Sequence, residues 1–143
     1  MGYCVTIEID NIVIPSDKVA EALKSINKLH EPQNLNRYAS GGSSKGERWY
    51  SFTNLGNPPF EDLVEAFDGW RYEAEQLENG DVILTEFNGE KLGDDVYLYQ
   101  VIAPNVAGKG KISISGEDGG KWSYDFADGE MTSTDRFKKL ELL

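Results

Sequence analysis

Residues 116–131 read GEDGGKWSYDFADGEM, an alternating run set between turn residues, and the rest of the chain is organised around this stretch. Trp122, Tyr124 and Phe126 share one face, and Lys121, Ser123 and Asp125 share the other. Strict period-two alternation is the mark of a strand with one face buried and one in water. Turn residues bracket it: Gly116-Glu117-Asp118-Gly119-Gly120 before, Asp128-Gly129 after. Asp-Gly supplies the two positive-φ positions of a tight type I′ hairpin. Residues 121–127 are therefore expected to be the middle strand of an antiparallel meander, between strands Ile112–Ser115 and Met131–Thr134. Its aromatic face, Trp122, Tyr124 and Phe126, is expected to pack on helices as structural core.

Upstream, Tyr3–Ile14 alternates until Asn11 interrupts, which predicts a strand bulged near Asp10-Asn11. Pro15-Ser16-Asp17 stops it and opens a helix over Asp17–His30, with Val19, Leu23, Ile26 and Leu29 at helical spacing. Pro32 ends that helix. Residues 33–46 are polar and rich in Gly and Ser, and read as a surface loop. Arg48–Phe52 reads as a short strand. Asn57-Pro58-Pro59 opens a second helix on the stripe Phe60, Leu63, Val64 and Phe67, with Gly69 as its stop. Trp70–Leu77 and Asp81–Phe87 form a hairpin about Asn79-Gly80. Residues 96–103 are ambiguous between helix and strand, and the preceding Asp and following Pro104 favour a short helix. Gly108–Gly110 reads as a turn, and Phe137–Leu143 as an amphipathic tail. The order predicts a single α+β domain over residues 1–143, a mostly antiparallel sheet with two or three helices on one face.

Net charge is −11, and its placement is uneven. Residues 61–95 hold twelve acidic side chains against Arg71 and Lys91, a local balance of −10. Nine of the twelve fall on the second helix (Glu61, Asp62, Glu65, Asp68) and the hairpin (Glu73, Glu75, Glu78, Asp81, Glu86). Such a field disfavours direct binding of nucleic acid, which depends on Lys and Arg. It favours a basic protein surface, or serves as a solvated face that keeps the protein soluble. The most basic neighbourhood is Arg37, Tyr38, Lys45, Arg48 and Trp49, where charge and a stacking face suit a small anionic ligand such as a signalling nucleotide.

Little else points to chemistry. His30 is the single histidine and Cys4 the single cysteine, so neither a disulfide nor a His/Cys metal set is expected. A reduced, cytoplasmic setting follows, with no membrane span and no basic-then-apolar leader. The carboxylate groups Glu117-Asp118, Asp94-Asp95 and Asp125/Asp128/Glu130 lack the spacing of a calcium loop and read as turn formers. No nucleophile motif is present, so no enzyme activity and no cofactor are expected.

The string Gly116-Glu117-Asp118-Gly119-x-x-Trp122-x-x-x-Phe126-x-x-Gly129-x-Met131 resembles a C-terminal signature of small uncharacterised proteins of phages, prophages and gut bacteria. Met1-Gly2-Tyr3, Gly89-Glu90-Lys91-Leu92-Gly93 and Ile102-Ala103-Pro104 are similar to further pieces of those proteins. Ser123 departs from the pattern, which often has Arg there. The resemblance implies a ferredoxin-like α+β fold and a bacterial host cell, and it brings no catalytic residue. By analogy of setting, it suggests a non-enzymatic inhibitor of host defence, an anti-CRISPR protein in the concrete case, whose acidic face occupies a nucleic-acid-binding groove. A ligand sponge built on the Arg37–Arg48 loop and a structural protein without ligand stand as the alternatives. The oligomeric state is not legible.

Overall fold

The computed structural model describes residues 3–53 and 58–143. Strand β1 (Val5–Asp10) and the two-residue strand β2 (Val13–Ile14) are one run of chain that changes sheet at Asn11, whose φ is +54°. The predicted bulge is thus a bend. Helix α1 (Val19–Leu29) follows a single 3-10 turn, then α2 (Pro32–Tyr38) and a small ribbon of β3 (Gly41–Gly42) on β4 (Arg48–Trp49). Helix α3 (Leu63–Gly69) leads into the hairpin β5 (Tyr72–Gln76) and β6 (Val82–Phe87). Helix α4 (Asp95–Ile102) then precedes the meander β7 (Lys109–Gly116), β8 (Lys121–Ala127) and β9 (Glu130–Ser133).

Beside the β3–β4 ribbon, the described residues form two larger antiparallel sheets, β1-β7-β8-β9 and β2-β6-β5, which share the first run of chain. A bond from Leu84 N–H to the Ile12 carbonyl (3.0 Å) ties β6 to the bend between them. Across that run the order is β5, β6, β2/β1, β7, every neighbour antiparallel. With α1 and α4 as the crossovers this is a ferredoxin-like β-α-β-β-α-β arrangement, extended at one edge by β8 and β9. The fold is α+β, and β8 is the middle strand of the meander.

Register explains the core. Ile7, Ile114 and Trp122 lie opposite one another across three strands, as do Ile9, Ile112 and Tyr124. Ile112, Ile114, Tyr124 and Phe126 are buried, and they form a single core with Ile26 and Leu29 of α1 and Leu98 and Tyr99 of α4. Trp122, nearer the strand end, is half-buried and packs against the edge of this core. The opposite face carries Glu8, Ser113 and Ser123 in one row and Asp10, Lys111 and Asp125 in the next. Asp128 and Gly129 take φ of +54° and +77°, the type I′ geometry that their sequence predicts. At Asn79-Gly80 only Gly80 is left-handed (φ +93°), so the hairpin closes through a three-residue loop.

Several expectations need correction. Residues 33–46 are not all loop: Pro32 not only stops α1 but occupies a first helical position and starts α2. The buried positions of that helix are Asn34 and Tyr38, so it shows no apolar stripe. The Arg48–Phe52 strand shrinks to Arg48–Trp49. Helix α3 begins at Leu63 with Asp62 as its N-cap, and Phe60 is buried ahead of it; Asn57 lies outside the described residues. Gly69 is still helical and the left-handed residue after the helix is Arg71, φ +75°. Trp70 therefore closes α3 and does not open β5. Gly110 lies within β7, which is longer than the predicted Ile112–Ser115.

Candidate functional site

The acidic segment occupies three adjoining elements, and each places its carboxylates for a local reason. Asp62 caps α3 by accepting the Glu65 N–H (2.8 Å), and Glu65 reaches back to the Glu61 N–H (3.2 Å). This reciprocal pair fixes three acids at the positive end of the helix. Asp68 is exposed in the last turn of α3, where the dipole offers it nothing. A cleft of about 380 Å³, lined in part by Val19, Leu23, Glu61, Asp62 and Gln76, separates the start of α3 from the hairpin.

On the hairpin, Glu73 and Glu86 stand directly opposite each other across β5 and β6. Glu73 raises the Glu86 carboxyl above its ordinary value, because it accepts a hydrogen bond from the protonated form and repels the charged one. Glu75 and Glu78 are exposed. Asp81 differs from the rest: it is half-buried, and it accepts the Ser16 N–H (2.8 Å) and the Asn79 side-chain amide (3.1 Å), which docks the turn on the chain ahead of α1. Among the described residues, none of the nine acids forms an ion pair. The charge read from the sequence is thus largely uncompensated, and eight of its nine carriers face water.

The basic neighbourhood does not converge in the same way. Tyr38 is buried, with its hydroxyl on the backbone of Glu141 and its ring covered by Lys138 (5.0 Å) and Tyr97 (5.4 Å). Arg37 reaches toward Glu141 at 3.8 Å, and Arg48 donates to the Ala39 carbonyl. Lys45 lies in the turn between β3 and β4. Trp49 is 41% exposed and is the one aromatic of the set with an open surface.

The carboxylate groups at turns are held by the fold. Asp118 accepts the Tyr3 hydroxyl and the Gly120 N–H, and Glu117 accepts the Cys4 N–H (3.0 Å). Asp125 lies 3.8 Å from Lys111. Asp94 accepts from Ser40 N (3.1 Å), Ser40 Oγ (2.9 Å) and Ser51 N (2.8 Å), which clips two loops to the start of α4. Asp95 is only 2% exposed and binds Arg71 Nη2 (2.9 Å), the Tyr72 hydroxyl (2.8 Å) and the Gly93 N–H (2.8 Å). Burial pushes its carboxyl up, while the guanidinium and the two other donors pull it back. The sequence reads Asp94-Asp95 as a turn former and helix start; that the two carboxylates anchor separate loops is visible only in three dimensions. Among the described residues, no group of three or more His, Cys, Asp or Glu side chains is placed to hold a metal ion.

Comparisons with family models, curated proteins and solved structures found no match to this chain. No helix among the described residues is long and apolar enough to cross a membrane.

Proposed function

We propose that this is a non-enzymatic binding protein whose acidic surface on α3 and the β5–β6 hairpin occupies a basic protein groove that otherwise holds nucleic acid. One observation carries the reading. Nine carboxylates lie on adjoining elements without an ion pair among the described residues, and two of them oppose each other across a strand pair. Like charges directly opposite destabilise a sheet, so this placement costs stability that a merely soluble surface has no need to give up. A positively charged channel recovers that cost on binding and speeds the encounter.

The concrete partner is a CRISPR effector nuclease, which holds its heteroduplex in such a channel. The resemblance of the C-terminal signature to small phage and prophage proteins supports an anti-defence role in a bacterial cytoplasm. The test reverses Glu61, Glu65 and Glu73 to Lys and measures affinity for a guide-loaded effector at low and high ionic strength. The expected result is binding by the native chain that weakens with salt and collapses in the reversed variant. Equal affinity of both chains at every salt concentration overturns the proposal.

A further inference from the structure

The last residues of the chain, 136–143, take no regular secondary structure, yet they are held along their length. Three side chains of the body do the holding. Gln100 of α4 donates to the Lys138 carbonyl (2.8 Å) and accepts the Leu140 N–H (2.9 Å). Tyr38 of α2 donates to the Glu141 carbonyl (3.0 Å) and accepts the Glu141 N–H (2.8 Å). Asn34, fully buried, accepts the Leu143 N–H (3.0 Å), and its amide nitrogen sits 2.8 Å from the Lys28 carbonyl. These contacts grip backbone amides and are blind to the sequence they grip.

Sequence enters chiefly through four side chains of the tail, the Glu141 carboxylate meeting Arg37 only at 3.8 Å and in water. Phe137, Leu140 and Leu142 are half-buried against the core, and the Lys138 ammonium lies 5.0 Å over the Tyr38 ring. The fit is incomplete: a cleft of about 680 Å³ remains between the tail and the body, lined by Val101, Ala103, Pro104 and Met131 among others. Its size is that of a ligand pocket. A row of amide-reading side chains beside an underfilled apolar cleft is the construction of a site for an extended peptide.

We propose that this groove binds an extended segment of a partner protein with the pattern apolar-Lys-x-apolar-x-apolar, and that residues 137–142 are a built-in competitor for it. The inference is independent of the acidic surface, which lies on other elements. A tethered competitor acts at an effective concentration near the millimolar range, so it masks a free peptide of ordinary affinity. Partner segments with bulkier apolar side chains fill the cleft better and displace the tail.

The experiment uses the full chain and a fluorescent peptide that copies residues 135–143, read by anisotropy. In the variant Leu140→Ser/Leu142→Ser the tail is weakened, and the peptide is expected to bind at least about tenfold tighter than to the native chain. Adding Gln100→Ala to that variant, or replacing the peptide's lysine at position 138 by Glu, is expected to lose most of the gain. Circular dichroism melts establish that each variant is folded. A folded tail-weakened chain that fails to bind the peptide overturns the proposal, as does one whose binding ignores Gln100→Ala. Sedimentation of the native chain is expected to show a monomer. A dimer that disappears in the tail-weakened variant would assign the groove to tails exchanged between copies and overturn the partner reading.

Discussion

His30 Nε2 accepts a hydrogen bond from the indole Nε1–H of Trp70 at 3.1 Å, so the end of α1 is joined to the end of α3 through a neutral imidazole. Tyr50 and Phe60 meet the same ring edge-on, each 5.4 Å away. Burial holds the imidazole at a pKa of about 4, against about 6.5 when unfolded. Protonation removes the acceptor that Trp70 uses and places a charge among aromatic rings.

Between those two values the unfolded chain binds a proton that the folded chain refuses. Stability from this group is therefore complete above about pH 6.5, declines as pH falls, and reaches its full loss near pH 4. The shift corresponds to roughly 3 kcal/mol. Melting temperatures of the native chain and of His30→Gln, which keeps an acceptor for the indole, separate this group from the many carboxylates. The native chain is expected to lose more stability between pH 7 and 4.5 than His30→Gln; equal losses refute the assignment.

The Arg71–Asp95 pair is the one buried ion pair among the described residues. Arg71 also donates to the Lys91 carbonyl (2.7 Å) and lies 4.9 Å from the Phe87 ring, so it closes the 88–95 loop over β5. Arg71→Met keeps the bulk and strands the carboxylate, which is expected to cost about 3–5 kcal/mol in denaturant melts. The double variant with Asp95→Asn is expected to regain part of that, because the stranded charge is gone. A cost below about 1 kcal/mol for Arg71→Met would show that water reaches Asp95 freely.

In the meander the ranking of substitutions follows depth and not size. Phe126→Ala removes a fully buried ring and is expected to cost about 3–5 kcal/mol. Trp122→Ala removes a larger but half-buried one and is expected to cost less than Phe126→Ala. Lys121→Ala, on the wet face, is expected to stay well under 1 kcal/mol. Chemical denaturation of the three variants checks the order. Trp122→Ala costing more than Phe126→Ala would place the indole deeper than the strand register allows.

How far these features were legible in the sequence depended on whether the signal was local. The meander, Asn79-Gly80 and Asp128-Gly129 were readable because alternation and turn chemistry are written within a few residues; helix α4 was readable from its flanking residues, although the Asp94 expected to cap it spends its carboxylate on Ser40 and Ser51. Helix α2 was hidden because its inner face is Asn34 and Tyr38, and those two are buried by a tail about a hundred residues away. The acidic charge could be counted from composition alone. That Asp81 is spent on Ser16, while Glu73 confronts Glu86, depends on the pairing of elements and not on any spacing. The stacking face that the sequence suggests at Tyr38 is closed for the same reason: nothing near it in sequence shows that Lys138 and Tyr97 already cover its ring.

The opposed glutamates give the sharpest separation of stability from binding. Glu86→Gln removes one of two facing charges, so the denaturation midpoint at neutral pH is expected to rise, and Glu86→Lys, which creates an opposite pair, is expected to raise it further. In the native chain Glu86 holds its proton to a higher pH when folded than when unfolded. The penalty from repulsion is therefore absent in acid and grows as pH rises through the folded value, so the gap between native chain and Glu86→Gln is expected to close on acidification. The same two variants are expected to bind a basic-channel partner more weakly, Glu86→Lys more than Glu86→Gln, with a loss that shrinks in high salt. A surface kept only for solubility predicts the gain in stability without the loss of binding. Parallel denaturant melts and affinity measurements on the three chains decide between them, and tighter melting with unchanged affinity removes Glu86 from the interface.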